Sequence, residues 1–185
     1  MSTELIIAIV IVLLIVFLFN SLIARRNAVN NAFASIDAYL KKRYDLIPNL
    51  VAAVQKYMEH ERNLLTEITE LRSRAISGNI SDSERVELDN KISRALTAIN
   101  VAVENYPDLK ANTNFLQLQA ALNEVEEQLS AARRAYNAAV NSYNNAVQMF
   151  PTNLVALIIG FKVSPFFEAT ETERQNVNVK NLFNS

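Results

Sequence analysis

Cysteine is absent from all 185 positions. That excludes disulfides, thiolate metal sites, a cysteine nucleophile and a lipid-modified cysteine. Glycine occurs only at Gly78 and Gly160, too sparse for a phosphate-cradling loop of the Walker or Rossmann type. Proline is confined to Pro48, Pro107, Pro151 and Pro165. With so few breakers and abundant Ala, Leu, Asn, Glu and Arg, the chain is expected to be all-α. An excess of one charge is also missing: 18 basic residues face 19 acidic ones, so no global field recruits nucleic acid. His60 is the only histidine. Glu59 and Glu61 flank it, but no second histidine follows four residues on, so the HExxH zinc pattern is not formed. A Ser-His-acid triad would have to recruit the same His60, with no Gly-x-Ser-x-Gly elbow in the chain. Glu124, Glu126 and Glu127 read as a solvated helix face. No catalytic, metal-ligating or cofactor-binding residue is assigned, and the chain is expected not to be an enzyme.

What the chain has instead is one long apolar run, LIIAIVIVLLIVFLFNSLIA, from Leu5 to Ala24. About 20 residues at 1.5 Å each reach roughly 30 Å, the hydrocarbon thickness of a bilayer. A cleaved signal peptide is the alternative. It would carry a basic leading region and a small-residue cleavage site, whereas the first charged side chain here is Glu4 and the run is full length. The favoured reading is a short tail (1–4), a transmembrane helix (5–24) and a domain (25–185). Arg25, Arg26, Lys41, Lys42 and Arg43 follow the span and no basic residue precedes it, which predicts an outside N-terminus and a cytoplasmic domain at the inner membrane.

The domain reads as an antiparallel bundle of three long helices plus a short C-terminal helix and an extended tail. No Gly or Pro other than Pro48 interrupts residues 25–77. Apolar columns at heptad spacing (Ile36, Leu50, Tyr57, Leu64, Leu71, and Leu40, Ile47, Val54, Ile68, Ala75) predict one helix, kinked at Pro48, with coiled-coil-like packing. Arg43 and Glu61 interrupt the columns. Ser81 with Glu84 forms a capping-box pattern opening a second helix over 82–105, which Pro107 closes. Asn112 or Thr113 caps a third over 113–150, where apolar residues from Phe115 to Phe150 alternate steps of three and four. A short helix over 153–159 precedes Gly160, and the tail 160–185 ends in NVNVKNLF, a strand or an extended arm. The short helix, LVALIIGF, is expected to cover the open end of the bundle. The alternative is that it dips into the membrane interface with Phe161, Phe166 and Phe167 as anchors.

Two groups of residues are candidates for interaction. Lys41, Lys42, Arg43, Tyr44, Asp45, Pro48 and Asn49 make a dense motif for a protein partner, against a structural reading in which Asp37 pairs with Lys41. Asn137, Asn141 and Asn144, with Asn145 beside them, form a stripe of poor helix formers in an Ala-rich helix. Their amides should bond the C-terminal appendage, the preferred reading, or a neighbouring subunit.

The stretches DAYLKKRYDLIPNL (37–50), YPDLKANTNFLQLQ (106–119), YNAAVNSYNNAVQMFP (136–151) and FKVSPFFEA (161–169) together resemble the LemA family of bacterial membrane proteins. The resemblance implies an N-terminal membrane helix, a helical-bundle domain facing the cytoplasm and no established enzymatic activity. It also implies neighbourhoods that include membrane-bound proteases and, for one relative, the magnetosome membrane. The expected function is a membrane-anchored scaffold that self-assembles into a homo-oligomer. The alternative is an adaptor for another membrane protein, such as a protease or a sensor.

Overall fold

The computed structural model describes residues 2–78 and 82–167, apart from the side chains of Asp82 and Ser83. The expected strand or arm in 176–183 and the Ser81 cap lie outside the described residues. Among the described residues six α-helices follow in order: α1 Thr3–Val54, α2 Arg62–Ile76, α3 Asp82–Val103, α4 Pro107–Lys110, α5 Thr113–Gln148 and α6 Thr152–Ile159. The fold is all-α. Among the described residues one helix, α1, is long and apolar enough to cross a membrane, and its apolar stretch is almost wholly outside the core.

At 52 residues, α1 reaches about 78 Å and carries both the apolar run and the first helix of the bundle. Pro48 sits on its exposed side and does not end it. Proline has no N–H, so the Tyr44 carbonyl one turn earlier loses its helical donor. Arg72 of α2 replaces that donor, its Nε lying 2.8 Å from the Tyr44 oxygen. The irregularity that proline introduces thus becomes a docking point for the next helix. Arg72→Ala should cost about 1.5–3 kcal/mol, the range for hydrogen bonds from charged donors. In a Pro48→Ala background, where the backbone N–H is restored, the same change should cost clearly less. Equal losses in the two backgrounds, measured by urea unfolding, would show that the carbonyl is not the reason Arg72 matters.

The helix expected over 25–77 is in fact two. The chain turns at Gln55–Glu61, where Tyr57 and Met58 both donate to the Val54 carbonyl at 2.9 and 3.0 Å. A 3-10 turn, Glu59–Glu61, then leads into α2. Met58 fills the inside of the bend and is 0 % exposed. Neither Gly nor Pro marks the turn, so its cause is not local. α5, the longest partner, has 36 residues and reaches about 54 Å, so a straight helix to residue 77 would run past anything that could cover it. Folding back buries Leu65, Ile68 and Leu71, each contributing about 1.5–3 kcal/mol. It also shifts the buried column, leaving Tyr57 and Leu64 at its margin.

Four helices therefore line one core among the described residues: the second half of α1, then α2, α3 and α5, running alternately up and down. Cross-contacts define the register. Arg72 meets Tyr44, Arg85 pairs with Asp37, the Phe33 and Tyr136 rings lie 5.8 Å apart, and Arg25 reaches the Ser142 hydroxyl. Asn112 caps α5, its Oδ1 accepting from the Asn114 and Phe115 amides at 3.0 and 3.2 Å. Gly160 ends α6 in the left-handed conformation, φ 80°, where a side chain would be strained. Beyond it, residues 161–167 run extended along α5. α6 itself packs on α1 and the end of α5, with Leu22, Ala146, Val155 and Ala156 forming a small core of their own.

Candidate functional site

Arg43 falls on the buried seam of α1, in step with Ile36, Leu40, Ile47 and Leu50, and is buried with them. A guanidinium there needs an anion, and α3 supplies Asp89, 2.9 Å from Arg43 Nη1. The other Asp89 oxygen takes Arg133 Nη2 from α5. Ser93 accepts from Arg43 Nη2 at 2.8 Å and donates to the Asp89 carbonyl at 3.0 Å. Glu126 approaches Arg43 from the half-exposed edge, at 3.3 Å. One carboxylate thus joins three helices. Burial raises the Asp89 carboxyl above its ordinary range, while the two guanidiniums pull the other way. Burial likewise pushes the neighbouring Tyr44 phenol above the tyrosine range, and Asp89 adds to that rise. Physically the cluster is a lock: it fixes opposite charges between α1, α3 and α5, with the half-exposed Glu126 at its open edge.

Against this centre the first candidate motif divides. Arg43 and Tyr44 are core residues, whereas Lys41, Lys42, Asp45, Pro48 and Asn49 are exposed on α1. Lys42 leans toward α5, with Gln128 Oε1 at 3.4 Å and Glu124 at 3.7 Å. Lys41 and Asp45 border a groove of about 410 Å³ whose far wall is Arg72, Ala75 and Ile76 of α2. Asp37, expected beside Lys41, pairs instead with Arg85.

The asparagine stripe divides as well. Asn137 and Asn144, one heptad apart, each grip one residue of the extended tail by its main chain. Asn144 Nδ2 donates to the Ser164 carbonyl at 2.9 Å while its Oδ1 accepts from the Ser164 amide at 2.8 Å. Asn137 does the same to Phe167, at 3.0 and 2.8 Å. The preceding tyrosines follow suit: Tyr143 donates to the Lys162 carbonyl at 3.0 Å and Tyr136 to that of Pro165 at 3.1 Å. An extended segment with no sheet partner must satisfy its backbone somewhere, and this Tyr-Asn pair repeated every seven residues supplies the partners. Asn141 and Asn145 point elsewhere. They are exposed and border a groove of about 440 Å³ with Ser21, Arg25 and Ser142.

Asp89, Arg133 and Arg72 were not candidates from the sequence. A partial signal was nevertheless present. Arg43 interrupts an apolar heptad column of the first helix, and a seam cation requires a buried anion. Arg133 lies beside Ala132, off the apolar series of α5, and gave no such signal. His60 is exposed in the Glu59–Glu61 turn, and no group of three potential ligands that could hold a metal occurs among the described residues.

The family model described as LemA family matches residues 32–181, from the first bundle helix through the tail. The chain belongs to the LemA family. Protein LemA of Metamycoplasma hominis is 31 % identical over 165 residues, covering 89 % of this chain and 75 % of that relative. Magnetosome protein MamQ 2 of Paramagnetospirillum magneticum is 31 % identical over 80 residues, 43 % of this chain but only 29 % of that protein. MamQ of Magnetospirillum gryphiswaldense is 28 % identical over 79 residues, with the same shares. The matched span of this LemA-family chain holds both the charge lock and the tail clamp. With the exposed apolar length of α1, the family makes this a membrane-associated helical protein.

Proposed function

We propose that the protein is a single-pass, non-enzymatic scaffold that self-assembles on the cytoplasmic face of the inner membrane. The observation that carries this reading is that anchor and bundle share one uninterrupted helix, Thr3–Val54. A flexible linker would let the bundle tumble, whereas a continuous helix holds it at a set height and angle, as an assembly unit requires. The internal charge lock and the clamped tail serve rigidity in the same way. The side chains free to meet a second copy are Lys41, Asp45 and Asn49 on α1, and Asn141 and Asn145 on α5.

The test is the native mass of the full chain in detergent, followed by crosslinking from single cysteines at Asp45 and Asn141. The absence of native cysteine makes that background clean. A defined oligomer with crosslinks between copies at either position is the expected result. A monomer with no crosslink between copies would overturn self-assembly and leave the adaptor reading, in which the Lys41–Asp45 groove takes another membrane protein.

A further inference from the structure

α6 packs against the C-terminal end of the apolar run of α1. Its buried residues Val155 and Ala156 rest on Leu22, with Leu18 and Phe161 closing the contact. Leu18 and Leu22 belong to the apolar run 5–24. The opposite face of α6 is bare: Leu154, Leu157 and Ile158 are 53, 80 and 84 % exposed. Met149 and Phe150, just before it, are 62 and 79 % exposed. No side chain from Gln148 to Phe161 carries a charge. Cations stand directly above: the Arg26 guanidinium lies 5.4 Å over the Phe161 ring, Arg25 bonds Ser142, and Lys162 follows.

We infer that α6, with Met149 and Phe150, is a second membrane-contact element. It seats its bare face in the boundary between headgroups and acyl chains beside the span, while Arg25, Arg26 and Lys162 face lipid phosphates. The inference rests on the anchored reading proposed above. Three observations specify a bilayer as the occupant. The patch adjoins α1 at Leu18 and Leu22, inside the apolar run in which Ile15 and Phe19 are also exposed. Its depth fits, since Leu18 to Arg25 is seven residues, about 10 Å of helix, and interfacial helices bury an apolar face roughly 5–10 Å deep. The order of residues, apolar below and basic above, is that of a membrane interface. An apolar face of this size beside a transmembrane helix has lipid as its immediate neighbour. The consequence is mechanical. One helix alone leaves the bundle free to rotate about the span axis, and a second contact on one side fixes which bundle face looks at the membrane.

The test uses the full chain in mixed phosphatidylcholine–phosphatidylglycerol vesicles, carrying one environment-sensitive fluorophore on Leu157→Cys, Leu13→Cys or Asp108→Cys. Leu157 is largely exposed in the fold, so the label displaces no packed side chain. Asp108 is exposed at the far end of the bundle. The probe at 157 should emit to the blue of that at 108. It should also be quenched several-fold more by lipids with a nitroxide near the headgroup than by aqueous iodide. The probe at 13 should respond to nitroxides deep in the acyl chains. A 157 probe that behaves like the 108 probe would overturn the inference while the 13 probe still supports the anchor. A 157 probe shielded from both quenchers would overturn it in favour of cover by a second protein chain. A 13 probe exposed to iodide would overturn the anchor itself.

Discussion

Replacing Asp89 by alanine is expected to be among the most damaging single changes in this bundle, costing about 3–5 kcal/mol. The carboxylate is 2 % exposed and is the shared partner of Arg43 and Arg133, whose side chains are 3 and 8 % exposed. Removing it takes the shared carboxylate from two guanidiniums in the core; Ser93 and the half-exposed Glu126 stay beside Arg43, and the Phe167 ring stays 5.1 Å from the Arg133 guanidinium. A domain is stable by only about 5–15 kcal/mol, so urea midpoints should fall by a large fraction. The triple change Arg43→Met, Asp89→Leu and Arg133→Met should recover most or all of that loss. Replacing a whole buried ion cluster with apolar side chains is often neutral or stabilising by about 1–4 kcal/mol, whereas breaking one is not. A single alanine costing less than about 1 kcal/mol would mean that water reaches the cluster and that it does not lock α1, α3 and α5 together. The triple variant also asks whether the lock sets alignment rather than stability. If the apolar version is as stable but its helices slip, the Phe33–Tyr136 contact at the membrane-proximal end should be lost.

The second large effect is expected from Asn137→Ala combined with Asn144→Ala. Together these remove four hydrogen bonds to the tail, two accepted from the Ser164 and Phe167 amides and two donated to their carbonyls. At about 0.5–1.5 kcal/mol each, the loss should speed exchange of those two amides by at least roughly thirtyfold. Amides in the middle of α3 and α5 should keep their protection, because the buried side chains of the four-helix core come from the helices themselves and Phe167 packs only at its margin. Tyr136 and Tyr143 still donate to Pro165 and Lys162, so the tail should loosen rather than leave. Asn→Asp replacements at the same positions give the sharper comparison. They keep the acceptor for each amide but remove the donor to each carbonyl, and should produce an intermediate rate. Unchanged exchange at Ser164 would show that the tyrosines alone hold the segment. Because both asparagines turn toward their own chain, the double variant should leave native mass untouched. A loss of oligomer would return them to a subunit contact.

Some of this was legible before the fold was known because the signals are local. The span needs only its length and apolarity. The α5 helix needs only steps of three and four closed by proline, and Gly160 needs only its own backbone freedom. The asparagine stripe showed that amides needed partners, and the appendage was the preferred one. That two of the four take the tail while Asn141 and Asn145 face Ser21 and Arg25 depends on how α1 lies against α5. The Lys41–Asn49 motif looked like one surface. It is two, because the seam passes through Arg43 and Tyr44 and leaves the remaining residues outside.

Composition and period within single segments are enough for the all-α class, the apolar anchor and the existence of long amphipathic helices. The tertiary structure alone decided that the helix after Val54 folds back on itself, that Arg72 takes the carbonyl orphaned by Pro48, and that Asp89 sits between two arginines. It also decided that α6 lies level with Leu18 and Leu22. These features belong to pairs and triplets of helices. What selects them is the burial of apolar surface and of charge across segments far apart in the chain, a quantity that no single stretch of sequence contains.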